Sequence, residues 1–170
     1  MRYIGRLLKW TSKEGGEVIE HRLQAVGGSL MAWMVLHSLV EHEGDLQRQL
    51  AERLCIEGPT MTRHLDRMAA DGVIERRPDP TDRRATRVYA TDLGRERLAA
   101  MLDVMERAEV DLLRGLSPEE VDALEQLLTR LRQNIYVAAV ENAQVAGRSA
   151  PRPIAPGEQE HEHAHGRSAV

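Results

Sequence analysis

The sequence predicts a mostly α-helical chain organised around a helix–turn–helix and a basic two-stranded turn. Three observations predict it. Apolar residues recur at helical spacing over most of the chain before residue 140. Phe is absent and aromatics make up only 3%, so the core must be Leu, Val, Met and Ala, a composition that favours helices. Between 58 and 91, GPTMTRHLDRMAADGVIERRPDPTDRRATRVYAT, the pattern passes from a helical wheel to short alternating runs around Pro78 and Pro80. Seven arginines (Arg63, Arg67, Arg76, Arg77, Arg83, Arg84 and Arg87) crowd into that stretch of a chain whose formal net charge is −4.

In order, residues 3–26 carry an apolar stripe through Ile4, Leu8, Val18, Ile19 and Val26, widened by Leu7 and Leu23. Its phase continues across Gly15-Gly16, so one helix is predicted, with a kink at the glycines as the alternative. Gly27-Gly28 ends it, and Ser29 is a natural N-cap for the next helix, 30–42, which is apolar on most faces and belongs in a core. Gly44 closes that helix. Residues 46–55 place Leu46, Leu50 and Leu54 on one face as the first helix of a pair. After a short turn at 55–58, the second helix starts with Gly58 as cap and Pro59 at the first helical position, and ends at Asp71-Gly72. Met61, Leu65 and Met68 share its inner face; Thr60, Arg63 and Arg67 point away, flanked by Thr62 and His64. A strand from Val73, a turn over 78–83 and a return strand ending at Thr91 follow. Thr91 caps a long helix running to about Arg114. Ser117-Pro-Glu-Glu120 is a capping box that opens the last helix, with Val121, Leu124, Leu127, Leu128, Leu131 and Ile135 in phase.

From about Gln144 the composition turns to Pro, Gly, Ser and charge, and 144–170 is expected to be a disordered tail. A single cysteine excludes an internal disulfide framework, and there is no apolar run of about 18 residues or more. A cytoplasmic protein without a signal peptide or a membrane partner is therefore expected. Gly-rich phosphate loops, H-E-x-x-H, G-x-S-x-G and paired-cysteine zinc spacings are all missing from the sequence, so neither an enzyme nor a metal- or cofactor-binding protein is expected.

The basic stretch fits duplex DNA. A major groove admits one α-helix and presents a readable donor and acceptor pattern, to which Thr60, Thr62, Arg63, His64 and Arg67 are suited. A basic extended turn with Arg83, Arg84 and Arg87 can enter the minor groove, where the negative potential is enhanced. Any single Arg here can equally be a solvated surface residue, and Arg76, Arg77 and Arg87 have Glu75, Asp79 and Asp82 close by in sequence as ion-pair partners. The combination carries the reading.

These residues also resemble MarR-type regulators. The matching runs are Thr62-Arg63-His64-Leu65-Asp66-Arg67-Met68, Gly72-Val73-Ile74-Glu75-Arg76, Asp82-Arg83-Arg84 and Thr91-Asp92-Leu93-Gly94, with Leu50-Ala51-Glu52-Arg53-Leu54 fitting the first helix of the pair. The resemblance implies a winged helix-turn-helix lobe over 29–91, with the N- and C-terminal helices, 1–28 and 92–140, forming an intertwined dimerisation module. It implies a homodimer on a pseudo-palindromic operator with half-sites about one helical turn apart. Thr60, Thr62, Arg63 and Arg67 would face the major groove, Arg84 would be the wing arginine in the minor groove, and Asp82 would brace the wing by ion pairing. It further implies repression, released by a small anionic aromatic effector or an oxidant. Two features depart from the family pattern: the Gly15-Gly16 pair within a helix, and the length of the tail.

Other candidates have plainer readings beside them. Trp33 and His37, with Met34, His21 and Arg22, form a candidate ligand pocket where the dimer module meets the lobe; core packing is the alternative. Cys55 reads as a redox switch or, by default, a small packing residue. His161, His163 and His165 alternate in the tail, where solvation is expected over metal binding. The rival to a DNA-binding regulator is a winged helix used as a protein-interaction module without specific DNA binding.

Overall fold

The computed structural model describes residues 3–82 and 84–147. Six helices and one hairpin follow in the order α1 (Ile4–Gln24), α2 (Leu30–Glu41), α3 (Gln47–Arg53), α4 (Gly58–Ala70), β1 (Ile74–Pro78), β2 (Thr86–Ala90), α5 (Asp92–Leu112) and α6 (Pro118–Val145). The fold is mostly helical, as the periodicity predicts.

Helix α1 runs unbroken through Gly15 and Gly16. The corner after it is tightly wired. Gly27 takes a left-handed φ of 73°, and the Gly28 N–H donates to Leu23 O at 2.9 Å. The Ser29 hydroxyl accepts from Ala32 N, and Glu20 of α1 accepts from Leu30 N at 2.8 Å, so α1 supplies part of the cap of α2. Leu23, Val35, Leu36, Leu39, Leu50, Met61, Leu65, Met68, Val73, Ile74, Val88, Leu98 and Met101 form one continuous core. Helix α4 ends in a Schellman motif. Gly72 N donates to Ala69 O and Val73 N to Met68 O, with Gly72 at φ 71°.

The hairpin pairs Ile74 with Ala90, Arg76 with Val88 and Pro78 with Thr86, antiparallel. Leu46 adds an isolated bridge to Arg87, and Val88 N donates to Asp45 O. Leu46 is thus an extended residue at the edge of the wing, and α3 begins one residue later than its leucine spacing predicts.

Three local expectations are corrected. The cap of α4 is Glu57, with an extended ψ of 141°, and Gly58 is already helical. A residue before proline is normally pushed out of the helical region by a clash that involves its Cβ, and glycine has none. Cys55 is exposed, at a positive φ of 55° where α3 has just ended, so it packs in no core. Helix α6 continues to Val145, into the stretch expected to be tail, because Val137, Ala138, Ala139 and Val140 carry its pattern onward. The remaining tail, with His161, His163 and His165, lies outside the described residues.

Helices α1 and α2 both pack against α5. Helix α6 does not share this cover: none of its residues is buried, and Leu127 is 60% exposed.

The tightest backbone approach joins the start of α5 to the end of α4. Thr91 Oγ donates to Gly72 O and accepts from Gly94 N, while a Cβ on Gly94 would lie 2.1 Å from Val73 O. Gly94→Ala is therefore expected to destabilise the fold by about 1–3 kcal/mol, an overpacking cost. The urea midpoint reads this; an unchanged midpoint would mean that α5 slides freely off Val73.

Candidate nucleic-acid interface

Helix α4 turns Met61, Leu65 and Met68 inward, all buried, which forces Arg63 and Arg67 outward. Both are exposed, and neither has a hydrogen bond or ion pair among the described residues. Thr60 and His64 are half-buried beside them. Thr62 is committed within the protein: its hydroxyl donates to Gly58 O at 3.0 Å and accepts from Gln47 Nε2 at 2.8 Å. It ties α3 to α4 and has little capacity left for a base edge.

The wing tip is built on a carboxylate that sequence reasoning leaves as one ion-pair option among several. Asp79 is buried. Its Oδ1 accepts from the Thr81 N–H (2.8 Å), the Thr81 hydroxyl and the Asp82 N–H (2.9 Å), and its Oδ2 accepts from Arg87 Nε at 2.6 Å. The two Thr81 bonds, and then those from Asp82 N–H and Arg87, favour the charged form over the opposing effect of burial and hold the carboxyl far below its ordinary range. Arg87 also donates to Gly44 O at 2.8 Å, anchoring the hairpin to the turn after α2. Arg87, expected to contact DNA, has its guanidinium engaged by Asp79 of the wing and by Gly44 O of the turn after α2. Asp82, expected to brace by ion pairing, is exposed; among the described residues its carboxylate braces by accepting the Arg84 N–H at 2.9 Å. Among the described residues the ion-pair brace of the wing is Asp79. The signal for it is present as Asp79-Pro80-Thr81, an acid two residues before a hydroxyl in a turn.

Arg84 is exposed and its side chain has no partner among the described residues; Arg83 lies outside them. The other arginines are spoken for. Arg76 holds Asp66 at 2.7 Å, and Arg77 pairs with Glu75 and lies 4.5 Å over the Tyr89 ring. The cluster thus divides into free residues (Arg63, Arg67 and Arg84) and engaged ones (Arg76, Arg77 and Arg87). Arg84, Asp82 and Thr86 of the wing share a groove of about 510 Å³ with Gln47, Arg48, Gly58 and Thr62 from α3 and the start of α4.

The residues of the expected ligand pocket, Trp33, His37, Met34, His21 and Arg22, lie along α1 and α2. The Trp33 and His37 rings meet in a tilted contact, 5.2 Å between centroids and 36° between planes, and His37 lies 3.5 Å from Glu41. Met34 is half-buried and His21 is exposed at the end of α1. Arg22 is held by Asp111 at 2.7 Å, a pairing that lowers the carboxyl pKa of Asp111. A different cavity, of about 380 Å³, opens where α1, α2, α4 and α5 meet, lined in part by Glu20, Gly28, His64, Arg67, Arg97 and Met101. Its residues are scattered through the sequence, and only the packing brings them together.

A helix–turn–helix whose second helix is backed by a two-stranded hairpin is a winged helix-turn-helix. The MarR family model matches residues 27–85. The chain is similar to a MarR mutant from E. coli complexed with operator DNA, with 25% identity over 75% of this chain and 92% of that one and a TM-score of 0.72. It is similar to the transcriptional repressor CouR bound to a 23-mer DNA duplex, with 29% identity, 75% and 90% coverage and a TM-score of 0.71. It is also similar to a probable transcriptional regulator from Pseudomonas aeruginosa, with 27% identity, 76% and 96% coverage and a TM-score of 0.71. The family match spans the helix–turn–helix and the first strand of the wing. Among the described residues no helix is long and apolar enough to cross a membrane.

Because the Asp79 pKa is depressed by folding, its contribution to wing stability is present above the ordinary carboxylate range and is lost as pH falls through the lower folded value. Amide protection at Thr81 and Asp82 is expected to persist when pH is lowered to about 3, where an ordinary carboxylate is mostly protonated. In Asp79→Ala it is expected to be lost even at neutral pH. Wild-type protection that titrated away near an ordinary carboxylate pKa would refute the assignment.

Proposed function

We propose that the chain is a DNA-binding transcriptional regulator, a repressor that binds a pseudo-palindromic operator as a homodimer in the cytoplasm and is released by a small anionic or aromatic effector. The observation that carries this reading is the division of the arginines. Carboxylates of the same lobe, Asp66, Glu75 and Asp79, take Arg76, Arg77 and Arg87. Arg63 and Arg67 on α4 and Arg84 on the wing remain exposed and unpaired among the described residues.

The chemistry assigns these groups two tasks. Arg63 and Arg67 lie on a helix of major-groove dimensions, where a guanidinium can bond the two acceptors of guanine. Arg84 on the extended wing suits the narrower groove and the phosphates beside it. The similar MarR and CouR structures are complexes with DNA, which supports duplex DNA as the partner. The homodimer is supported by α6, which leaves Leu124, Leu127, Leu128 and Ile135 uncovered, and by Ile4, Leu7 and Trp10 exposed on α1 beside Tyr3 at its cap. Apolar surface of this extent, on two helices flanking the lobe, is matched by a second copy. Effector release is supported by the cavity at the junction of α1, α2, α4 and α5, because a ligand there would touch Arg67 directly.

Binding of the chain to its own upstream intergenic DNA at physiological salt tests the reading; no selective binding in any ligand state would overturn it and favour a protein-interaction role. Arg84→Ala is expected to weaken binding to all sequences about tenfold and to flatten the salt dependence. Arg63→Ala is expected to relax base preference by about 1–3 kcal/mol with a smaller loss on non-cognate DNA. Replacing Leu127 and Leu128 together by Asp is expected to halve the mass found by light scattering; an unchanged mass would place the dimer contact elsewhere.

A further inference from the structure

Arg76 occupies an unusual place. It lies opposite Val88 in the hairpin register, and it alternates with Ile74, so it shares the inward face of the wing with two buried aliphatic residues. That face points at α4. Instead of a third aliphatic group it carries a guanidinium whose Nε is buried without a partner. The other two nitrogens reach α4: Nη1 donates to Asp66 Oδ1 at 2.7 Å and Nη2 to Thr62 O at 3.2 Å. A charge placed on an aliphatic face, with one donor left unsatisfied, is costly, and packing alone does not call for it.

The contact matters for where it leaves Asp66. On a helix, residues three apart are surface neighbours, so Asp66 lies within ion-pair reach of Arg63. Asp66 is the acid three residues along the helix from Arg63, yet its carboxylate is turned to the wing through Oδ1.

We infer that Arg76 is a positioning residue for base recognition: anchored on Thr62 O, it holds Asp66 away from Arg63 and so keeps the Arg63 guanidinium free. This rests on the proposed DNA-binding reading. The wing then has two roles. Arg84 grips DNA from its tip, and Arg76 at its base sets the charge state of the face that α4 presents.

The test uses Arg76→Gln, Asp66→Asn, the double variant, and Arg76→Lys, which keeps the charge but not the fork. Discrimination between the best operator and its single-base variants at the Arg63 position is expected to fall about tenfold in Arg76→Gln, in the range of contacting-residue couplings. It should recover in the double variant, because a neutral amide at position 66 no longer captures Arg63. Asp66→Asn alone should stay within about twofold of wild type, and Arg76→Lys within about threefold. A merely structural Arg76 would lower affinity for every sequence and would not be rescued by Asp66→Asn. Undiminished discrimination in Arg76→Gln, or a double variant no better than Arg76→Gln, overturns the inference. The Arg63 Nε–H resonance of the DNA-free protein gives an independent readout. It should shift in Arg76→Gln and return in the double variant, and no shift overturns the inference. If the wild-type chain shows no DNA selectivity, the functional reading fails, while this resonance still decides the role of Arg76.

Discussion

The outer surface of α4 is determined by what its inner surface must bury. Met61, Leu65 and Met68 each contribute about 1.5–3 kcal/mol by leaving water, and their spacing admits one rotation of the helix about its axis. That rotation turns Arg63 and Arg67 outward. The Schellman closure at Gly72 then sends the chain directly into β1, so the hairpin is fixed relative to the same helix. Losing the inward seam would abolish the helix and the direction in which its charged groups face.

Within that frame, a mildly acidic chain sustains a basic surface by using its carboxylates selectively. Asp79 is buried against Arg87, the more exposed Asp66 is paired sideways with the half-buried Arg76, and each is tied into backbone or side-chain donors that limit where its charge can go. The local sequence balance between Arg and Asp therefore understates the asymmetry in space. Negative charge is drawn inward or sideways, and the positive charge left exposed is concentrated on one helix face and one hairpin tip. In the proposed reading this makes the surface attractive to a polyanion without making the whole chain so.

Much of this arrangement is legible in the sequence because it is local. The two helices of the pair, the Ser29, Thr91 and Ser117 caps and the strands about Pro78 and Pro80 depend on neighbours within a few residues, and each stands within one or two residues of its expected place. Legibility fails where partners are distant. Arg87 reads either as a DNA contact or as the partner of a nearby acid until the fold brings Asp79 and Gly44 beside it, and Arg76 reads as one of a run until the hairpin register turns it toward Asp66. The Trp33 and His37 pair is a helical neighbour pattern that the sequence shows well, but a cavity is a property of several elements together, and the one at the α1–α2–α4–α5 junction uses neither residue. Cys55 reads as a packing residue because a left-handed backbone at a non-glycine has no signature in composition.

The joint at Thr91 has a mechanical consequence. Its amide and its hydroxyl grip Val73 O and Gly72 O, its hydroxyl also receives Gly94 N–H, and no room remains at Gly94 for a side chain to act as a cushion. The end of α4, the root of the wing and the first turn of α5 therefore behave as one knuckle. A tilt of α5, which runs some twenty residues from this joint, has to carry the end of α4 with it unless these contacts break. The short backbone contacts at this knuckle make α5 the lever arm of the winged lobe.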